Sequence, residues 1–359
     1  MSAAVAARTT KPALMNVKAV AQDDSLTLAA YDTEVGIRYA LPGVTVPVSG
    51  SCILPLVELV KILRESDGPD VTLSADGDAI VARTGGDRYE MPSLDVNEFP
   101  DVPSFDDAAP YHEVAAGALR VLIGRTLFAA DKKDTTAKFA LRAVLWEADA
   151  DGVRLVATDT KRLAVSNAPA TLSGDPDDKP HLVPLKAVAL LEKNLPDDDA
   201  APVRVVLRTN DAMFRTDRAE IYTSLVQGKF PPYATILKVA HKGKEPHCIS
   251  LPAAAFASCV RRAAIMTDAE SQRIDMTFAP GSVKLAARGA NTGASDVTML
   301  LPEYTGPRLE VAFDPVYVGD FLRALDDGAV ALLEIADGTL PAVFTCGDDY
   351  RYLVMPLTG

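Results

Sequence analysis

Thr158-Asp159-Thr160 and Asp32-Thr33 are the first places where the chain offers chemistry: carboxylates beside hydroxyls, with Ser166 a few residues further on. A catalytic reading would make Asp32 or Asp159 an acid and Thr158 or Ser166 a nucleophile. Such a nucleophile needs a base within hydrogen-bond reach. The four histidines, His112, His181, His241 and His247, are scattered, and none is near either segment in sequence. No Gly-x-Ser-x-Gly, Walker or metal-binding pattern occurs. Cys52, Cys248, Cys259 and Cys346 form no Cys-x-x-Cys pair and read as buried, reduced thiols. The repeated Asp-Thr pair is better read as turn chemistry, in which an Asp side chain caps a tight turn. The residues therefore point away from an enzyme, and no cofactor or metal is expected.

A second kind of chemistry needs only charge. The chain carries a net −13, which argues against gripping nucleic acid over the whole surface. Local charge governs contact, however, and the basic residues gather on segments of helical periodicity. These are Arg120, Arg125, Lys132, Lys133 and Lys138; Lys186 and Lys193; Arg261, Arg262 and Arg323; and Arg8, Lys61 and Arg64. The acidic runs, such as Asp106-Asp107 and Asp348-Asp349, fall mostly in turns. An acidic body with one basic face would meet phosphates there and ignore base sequence. For any single residue a solvated helix face is the simpler reading; the recurrence of the set favours a face that meets phosphates.

The elements that must position these residues repeat three times. Pro55, Pro184 and Pro315 each open a helix and stand 129 and 131 residues apart. The alternating strand that begins at Leu26 returns at Val153 and, more weakly, at Val283. Asp87-Arg88-Tyr89-Glu90 followed by Phe99-Pro100 returns as Asp217-Arg218-Ala219-Glu220 followed by Phe230-Pro231. Three signals in one register mean a tandem triplication of a domain-sized α+β unit, antiparallel sheet with two helices. Proline-rich and polar joins set the domains at 1–110, 111–246 and 247–359. Helices are expected over 55–64, 114–130, 184–194, 251–266 and 315–325. No apolar run reaches 18 residues, so a membrane span is not expected. The N-terminus is too short for a signal peptide, which makes the cytoplasm the natural location. Only 25 residues precede Leu26, against 39 from Val114 to Val153, so the first unit is expected to lack a strand and most of a helix. A start about 15 residues upstream is expected to supply them, with a truly shortened, divergent form as the alternative.

Arg8-Thr9-Thr10-Lys11-Pro12-Ala13-Leu14, the run from Leu155 to Ala164, Gly228-Lys229-Phe230-Pro231-Pro232-Tyr233 and the terminal Leu353-Val354-Met355-Pro356-Leu357 resemble the bacterial DNA polymerase III beta subunit family of sliding clamps. The likeness spans essentially the whole chain in order. It implies a head-to-tail homodimer that closes six domains into a ring, helices inside and sheets outside. Twelve inner helices, each about 10 Å wide, trace a circle roughly 120 Å around and about 38 Å across, enough for a duplex. Strand edges would pair across the joins instead of lying exposed, and a contact that closes after two subunits makes a ring, not a filament.

The resemblance further implies a processivity factor on double-stranded DNA. Its partners would be a clamp loader, the DNA polymerase III catalytic subunit and other proteins with clamp-binding motifs. A specialised second clamp copy acting mainly as a protein-binding scaffold is the alternative. Arg8 stands where the family carries a DNA-contacting arginine. The family's peptide cleft maps onto Leu141, Thr158, Lys161, Arg162, Leu163, Pro231, Ile236, Leu340, Leu353, Val354, Met355, Pro356 and Leu357, with Tyr317 on the rim. Arg162 and Thr158 are expected to meet peptide carbonyls. Three positions depart from the family pattern: Thr160 replaces a turn glycine, Thr235 an arginine, and Val57 a basic residue.

Overall fold

The computed structural model describes residues 1–6, 8–76, 79–132, 139–174, 179–268 and 272–358. The first repeat contains β1 (Val17–Gln22), β2 (Ser25–Tyr31), β3 (Val35–Pro42), β4 (Gly50–Leu54), α1 (Leu56–Glu65), β5 (Val71–Asp76), β6 (Ala79–Thr84) and β7 (Asp87–Pro92). The second contains β8 (Tyr111–Ala115), α2 (Ala116–Thr126), β9 (Ala143–Asp149), β10 (Gly152–Thr158), β11 (Arg162–Ala168), β12 (Thr171–Ser173), β13 (His181–Pro184), α3 (Leu185–Glu192), β14 (Pro202–Leu207), β15 (Asp211–Arg215), β16 (Ala219–Ser224) and α4 (Tyr233–Lys238). The third contains β17 (His247–Pro252), α5 (Ala253–Ala264), β18 (Ile274–Ala279), β19 (Gly281–Gly289), β20 (Gly293–Leu301), β21 (Leu309–Phe313), α6 (Pro315–Arg323), β22 (Val330–Ile335), β23 (Ala342–Cys346) and β24 (Tyr350–Val354). The second and third repeats each begin strand–helix before their first hairpin. In the first repeat the described residues before β1 hold only 3-10 turns, at Ser2–Ala4 and Pro12–Met15.

Two of the expected helices start later than their apolar patterns suggest. Residues 111–115 and 247–252 are strands, held by Val114 opposite Val203 and Leu251 opposite Ala331. Both segments bury alternate residues, His112 and Val114 in one and Ile249 and Leu251 in the other, which is the two-residue period of a strand, and neighbouring strands pair with them. The remaining helices follow local signals. Asp314 caps α6 by accepting from the Val316 N–H at 2.8 Å, with Pro315 in the first turn. α5 buries Phe256, Val260 and Ala263, a helical spacing.

The chain divides into two compact units: Met1–Gly117 with Thr171–Asp177 and Lys186–Leu225, and Ala118–Ala170 with Asp178–Leu185 and Val226–Gly359. The division runs through the second repeat because strand pairing crosses the repeat boundaries. In the first unit, β16 pairs antiparallel with β3, giving a nine-stranded sheet that joins repeats one and two. In the second unit, β24 pairs with β11, giving an eight-stranded sheet that joins repeats two and three. The expected pairing of strand edges across joins is therefore present at both. The first unit also holds a three-stranded sheet, β5-β6-β7, and the second a four-stranded one, β20-β19-β18-β21. The core of the third repeat is aromatic, with Phe321 stacked at 5.3 Å on Tyr352 and at 5.2 Å on Tyr350.

Candidate peptide cleft and basic faces

β10 turns into β11 through Asp159, Thr160 and Lys161. Asp159 Oδ1 accepts from the Lys161 and Arg162 N–H groups, both at 3.0 Å. Thr158 Oγ1 donates to the Arg162 carbonyl at 2.6 Å and accepts from the Thr160 N–H at 3.2 Å. Thr160 sits at φ +78°, the left-handed region a glycine would occupy freely. The first repeat copies this turn: Asp32 Oδ1 accepts from the N–H groups of Glu34 (3.0 Å) and Val35 (2.7 Å), and Thr33 sits at φ +80°. The Asp-Thr pairs are thus turn-forming groups, and Ser166 is wholly buried inside β11.

From this turn the second unit builds an apolar cluster. Leu163 lies opposite Leu353 across the β11–β24 join. Both pack in a cluster with Val343 and Ala240, against Phe230, Tyr233 and Leu237. Beyond β24 the chain is pinned by its backbone: Met355 N–H donates to the Lys161 carbonyl and Leu357 N–H to that of Ala312, both at 2.8 Å. Leu141, Leu163, Leu340, Leu353, Val354 and Pro356 are buried, so they form the floor and its support. Pro231, Tyr317 and Leu357 are half-buried, Lys161 is exposed, and Ile236 and Met355 retain 36% and 41% exposure. A buried apolar floor with exposed apolar lips suits apolar side chains from an extended peptide, and methionine adapts to several of them. α4, which carries Ile236, did not stand out in the sequence. The signal was Pro231-Pro232 just before it. Tyr233 anchors it, donating to Glu147 Oε2 at 2.5 Å, and burial together with that carboxylate pushes the phenol up to about 12.

Arg162 and Thr158 correct the expectation that both reach peptide carbonyls. Arg162 is buried and its donors are spent inside the protein: Nε on Asp159 Oδ2 (2.9 Å), Nη1 on Asp320 Oδ2 (2.5 Å) and Nη2 on the Phe128 carbonyl (2.7 Å). Its guanidinium also lies 4.5 Å from the Tyr317 ring centroid and 5.5 Å from that of Phe128. Burial opposes its charge, but Tyr352, Asp320 and Asp159 outweigh burial and raise its pKa. Arg162 braces the cleft from behind, and the Thr158 hydroxyl is spent in the turn.

The structure brings three of the basic candidates together. Arg120, Val121, Gly124, Arg125 and Phe128 from α2 and the turn after it face Asp320, Arg323, Ala324 and Asp326 across a groove of about 410 Å³. Arg125 donates to Asp349 Oδ2 at 2.8 Å, and Arg323 donates to Asp320. Elsewhere in that unit, Lys132 is exposed, and Arg261 and Arg262 stand exposed in the last turn of α5. There they also suit the negative end of the helix dipole, a structural use independent of DNA. In the first unit Arg8 and Lys61 are exposed, while Lys186 donates to Asp32 at the copied turn. Lys133 and Lys138 lie outside the described residues. Of the four cysteines expected to be buried, only Cys259 is; Cys52 and Cys346 are half-buried and Cys248, on the edge strand β17, is exposed. Among the described residues no group of three His, Cys, Asp or Glu side chains comes together to hold a metal, and no helix is long and apolar enough to cross a membrane.

Comparison with known proteins fits this arrangement. The family profiles of the DNA polymerase III beta subunit match in order: the N-terminal domain over residues 1–103, the central domain over 113–232 and the C-terminal domain over 244–358. The chain is 28% identical over 373 residues to the beta sliding clamp of Vibrio cholerae, covering 99% of this chain and 95% of that protein. It is 26% identical over 352 residues to that of Chlamydia pneumoniae, covering 96% and 91%. Among solved structures, a Pseudomonas aeruginosa sliding clamp bound to griselimycin superposes with a TM-score of 0.88 at 25% identity, covering 100% of this chain and 95% of that one. A DNA polymerase sliding clamp from Bacillus subtilis, at 21% identity, shares the fold with a TM-score of 0.87, covering 99% and 94%. With three consecutive domain profiles matched along nearly its whole length, the chain belongs to the DNA polymerase III beta subunit family.

Proposed function

We propose that two copies of this chain close head to tail around duplex DNA and act, without catalysis, as a replicative sliding clamp. The observation that carries this reading is a join left unmade. Within one chain β16 pairs with β3 and β24 with β11, five residues each. The corresponding strands for a third join are β7 and β20, and both are edges. An exposed strand edge is a template for another chain, and a second copy supplies the complement at both ends, which closes the assembly. Asp87, Ala219 and Tyr350 each begin the strand after a hairpin turn, and Ala219 and Tyr350 face Tyr39 and Ser166. The hairpin position of Tyr39 and Ser166 is held by Val297 in the third repeat. Arg88 of one copy then stands opposite Asp296 of the other, an attractive cross-strand pair.

The division into domains at 110 and 246 follows the sequence repeats, and the profile limits support it. The basic residues Arg8, Lys61, Arg120, Arg125, Lys132, Lys133, Lys138, Lys186, Arg261, Arg262 and Arg323 would meet phosphates, and the cleft would take peptides of the polymerase catalytic subunit, the clamp loader and other partners in the cytoplasm. The test is retention: a loaded clamp stays on nicked circular DNA and slides off once the circle is cut. Immediate loss from the intact circle would sink the ring, as would a 38 kDa sedimenting species at micromolar concentration. Arg88→Glu is expected to shift that sedimentation toward monomer, and adding Asp296→Arg to restore it.

A further inference from the structure

We infer that the groove between α2 and α6 is a discrete seat for one DNA phosphate, with strand backbone approaching the α2 main chain at Gly124. This rests on the reading of these helices as DNA-facing and goes beyond it by naming where a contact is made and what admits it. Gly124 lies in the last turn of α2, just before the 3-10 turn Leu127–Ala129, and is exposed. Glycine there weakens a helix relative to alanine. A Cβ on Gly124 would meet nothing within 4 Å, so the packing of the protein does not require glycine. The missing side chain instead opens the groove wall, between Arg120 one turn before and Phe128 one turn after.

The surrounding charge fits an anion with several acceptor oxygens. Arg120, Arg125 and Arg323 line the groove against Asp320 and Asp326. Asp320 is held from behind by buried Arg162 as well as by Arg323, so its charge is largely answered before a ligand arrives. Arg323 is 68% exposed and free to swing from Asp320 to a phosphate, and guanidinium matches phosphate in a planar two-point fork. Exposed Val121 on the same wall offers apolar contact to a sugar. Such a seat reads no bases, which a sliding protein requires.

Filling the groove without touching its charges tests this. Gly124→Leu adds bulk, and leucine suits a helix better than glycine, so the variant folds. Equilibrium binding to a short linear duplex is measured by fluorescence anisotropy across a salt series. Gly124→Leu is expected to weaken binding about threefold to tenfold and to lower the slope of log K against log salt by about one, the signature of one lost phosphate contact. Arg323→Ala should do the same, and Gly124→Ala, which adds only a methyl group, should fall between the unaltered protein and Gly124→Leu. Affinity and slope in Gly124→Leu equal to those of the unaltered protein would overturn the seat. Retention on nicked circular DNA, measured in parallel, reads the ring: its failure in the unaltered protein would strike the clamp reading, while the linear duplex still decides the groove.

Discussion

The two strand joins share one register and differ in what lies over them. At the first, Tyr222 faces Gly36; at the second, Leu353 faces Leu163. The segment that begins Phe99-Pro100 crosses the first join without forming a helix. A Cβ on Gly36 would sit 2.7 Å from Val102 Cγ1, Phe99, Val102 and Phe105 are buried, and Arg38 donates to Ser104 Oγ and the Val102 carbonyl. The segment that begins Phe230-Pro231 instead coils into α4 and leaves Ile236 and Val239 exposed beside the second join. Pro103 explains the difference. A proline disfavours helix in the residue before it, which keeps Val102 out of a helix, whereas Pro231-Pro232 lie at a helix start, where proline fits. A cleft exists at one join and not the other because the chain seals the first with itself.

The largest effect that sharpens this contrast is on the open join. Removing residues 355–359 takes away the Met355 and Leu357 backbone anchors and the exposed methionine lip, yet leaves β24 and its ladder in place. Binding of polymerase-derived peptides is expected to fall below detection by calorimetry, with thermal unfolding little changed. Unchanged peptide affinity would remove the cleft from this join.

The next effect separates the two copied turns. Asp159 binds Arg162, whose other partners are Asp320 and Phe128, all with little exposure. Asp32 binds Lys186, which is 41% exposed. Arg162→Ala leaves Asp159 without its cation and Asp320 with only the exposed Arg323, and is expected to cost about 3–5 kcal/mol. Lys186→Ala should cost about 1 kcal/mol or less. Denaturant unfolding measures both, and equal losses would mean that Arg162 is not the brace described above.

A smaller effect probes the sealed join. Gly36→Ala forces its Cβ against Val102, an overpacking expected to cost about 1–2 kcal/mol. If stability is unchanged, residues 99–105 do not close that join tightly.

Much of this was legible in the residues. The triplication follows from Pro55, Pro184 and Pro315 and from the hairpins, because turn and helix-entry signals are local. The Asp-Thr turns were legible for the same reason. What stayed hidden depends on partners distant in sequence. An opening strand in the second and third repeats was legible, but its end at 115 and 252 was not, because β14 and β22 lie beside it and hold residues 114–115 and 251–252 out of the helix. Arg162 looked like a free donor until Asp320, 158 residues away, claimed it. The uncovered state of the second join turned on one proline, Pro103, in a segment read only as a linker.

The smallest expected effect returns to the turns and asks whether their likeness is purely local. Thr33 and Thr160 are β-branched residues at φ +80° and +78°, where a side chain crowds the backbone. L-residues pay roughly 1–2 kcal/mol in that region, and glycine pays none. Glycine also gives the unfolded chain more freedom, which returns about 0.5–1 kcal/mol of the gain. Thr33→Gly and Thr160→Gly should therefore each stabilise by up to about 1 kcal/mol. The turn bonds survive because Asp32 and Asp159 accept from the main chain of later residues, not from the threonine side chain. Chemical denaturation of both variants decides the point. Equal gains mean the strain belongs to the turn itself, whatever its carboxylate holds beyond it. A gain at Thr33 with a loss at Thr160 would mean the Arg162 network relies on the threonine backbone being held where it is, and the second turn would then be more than a copy of the first.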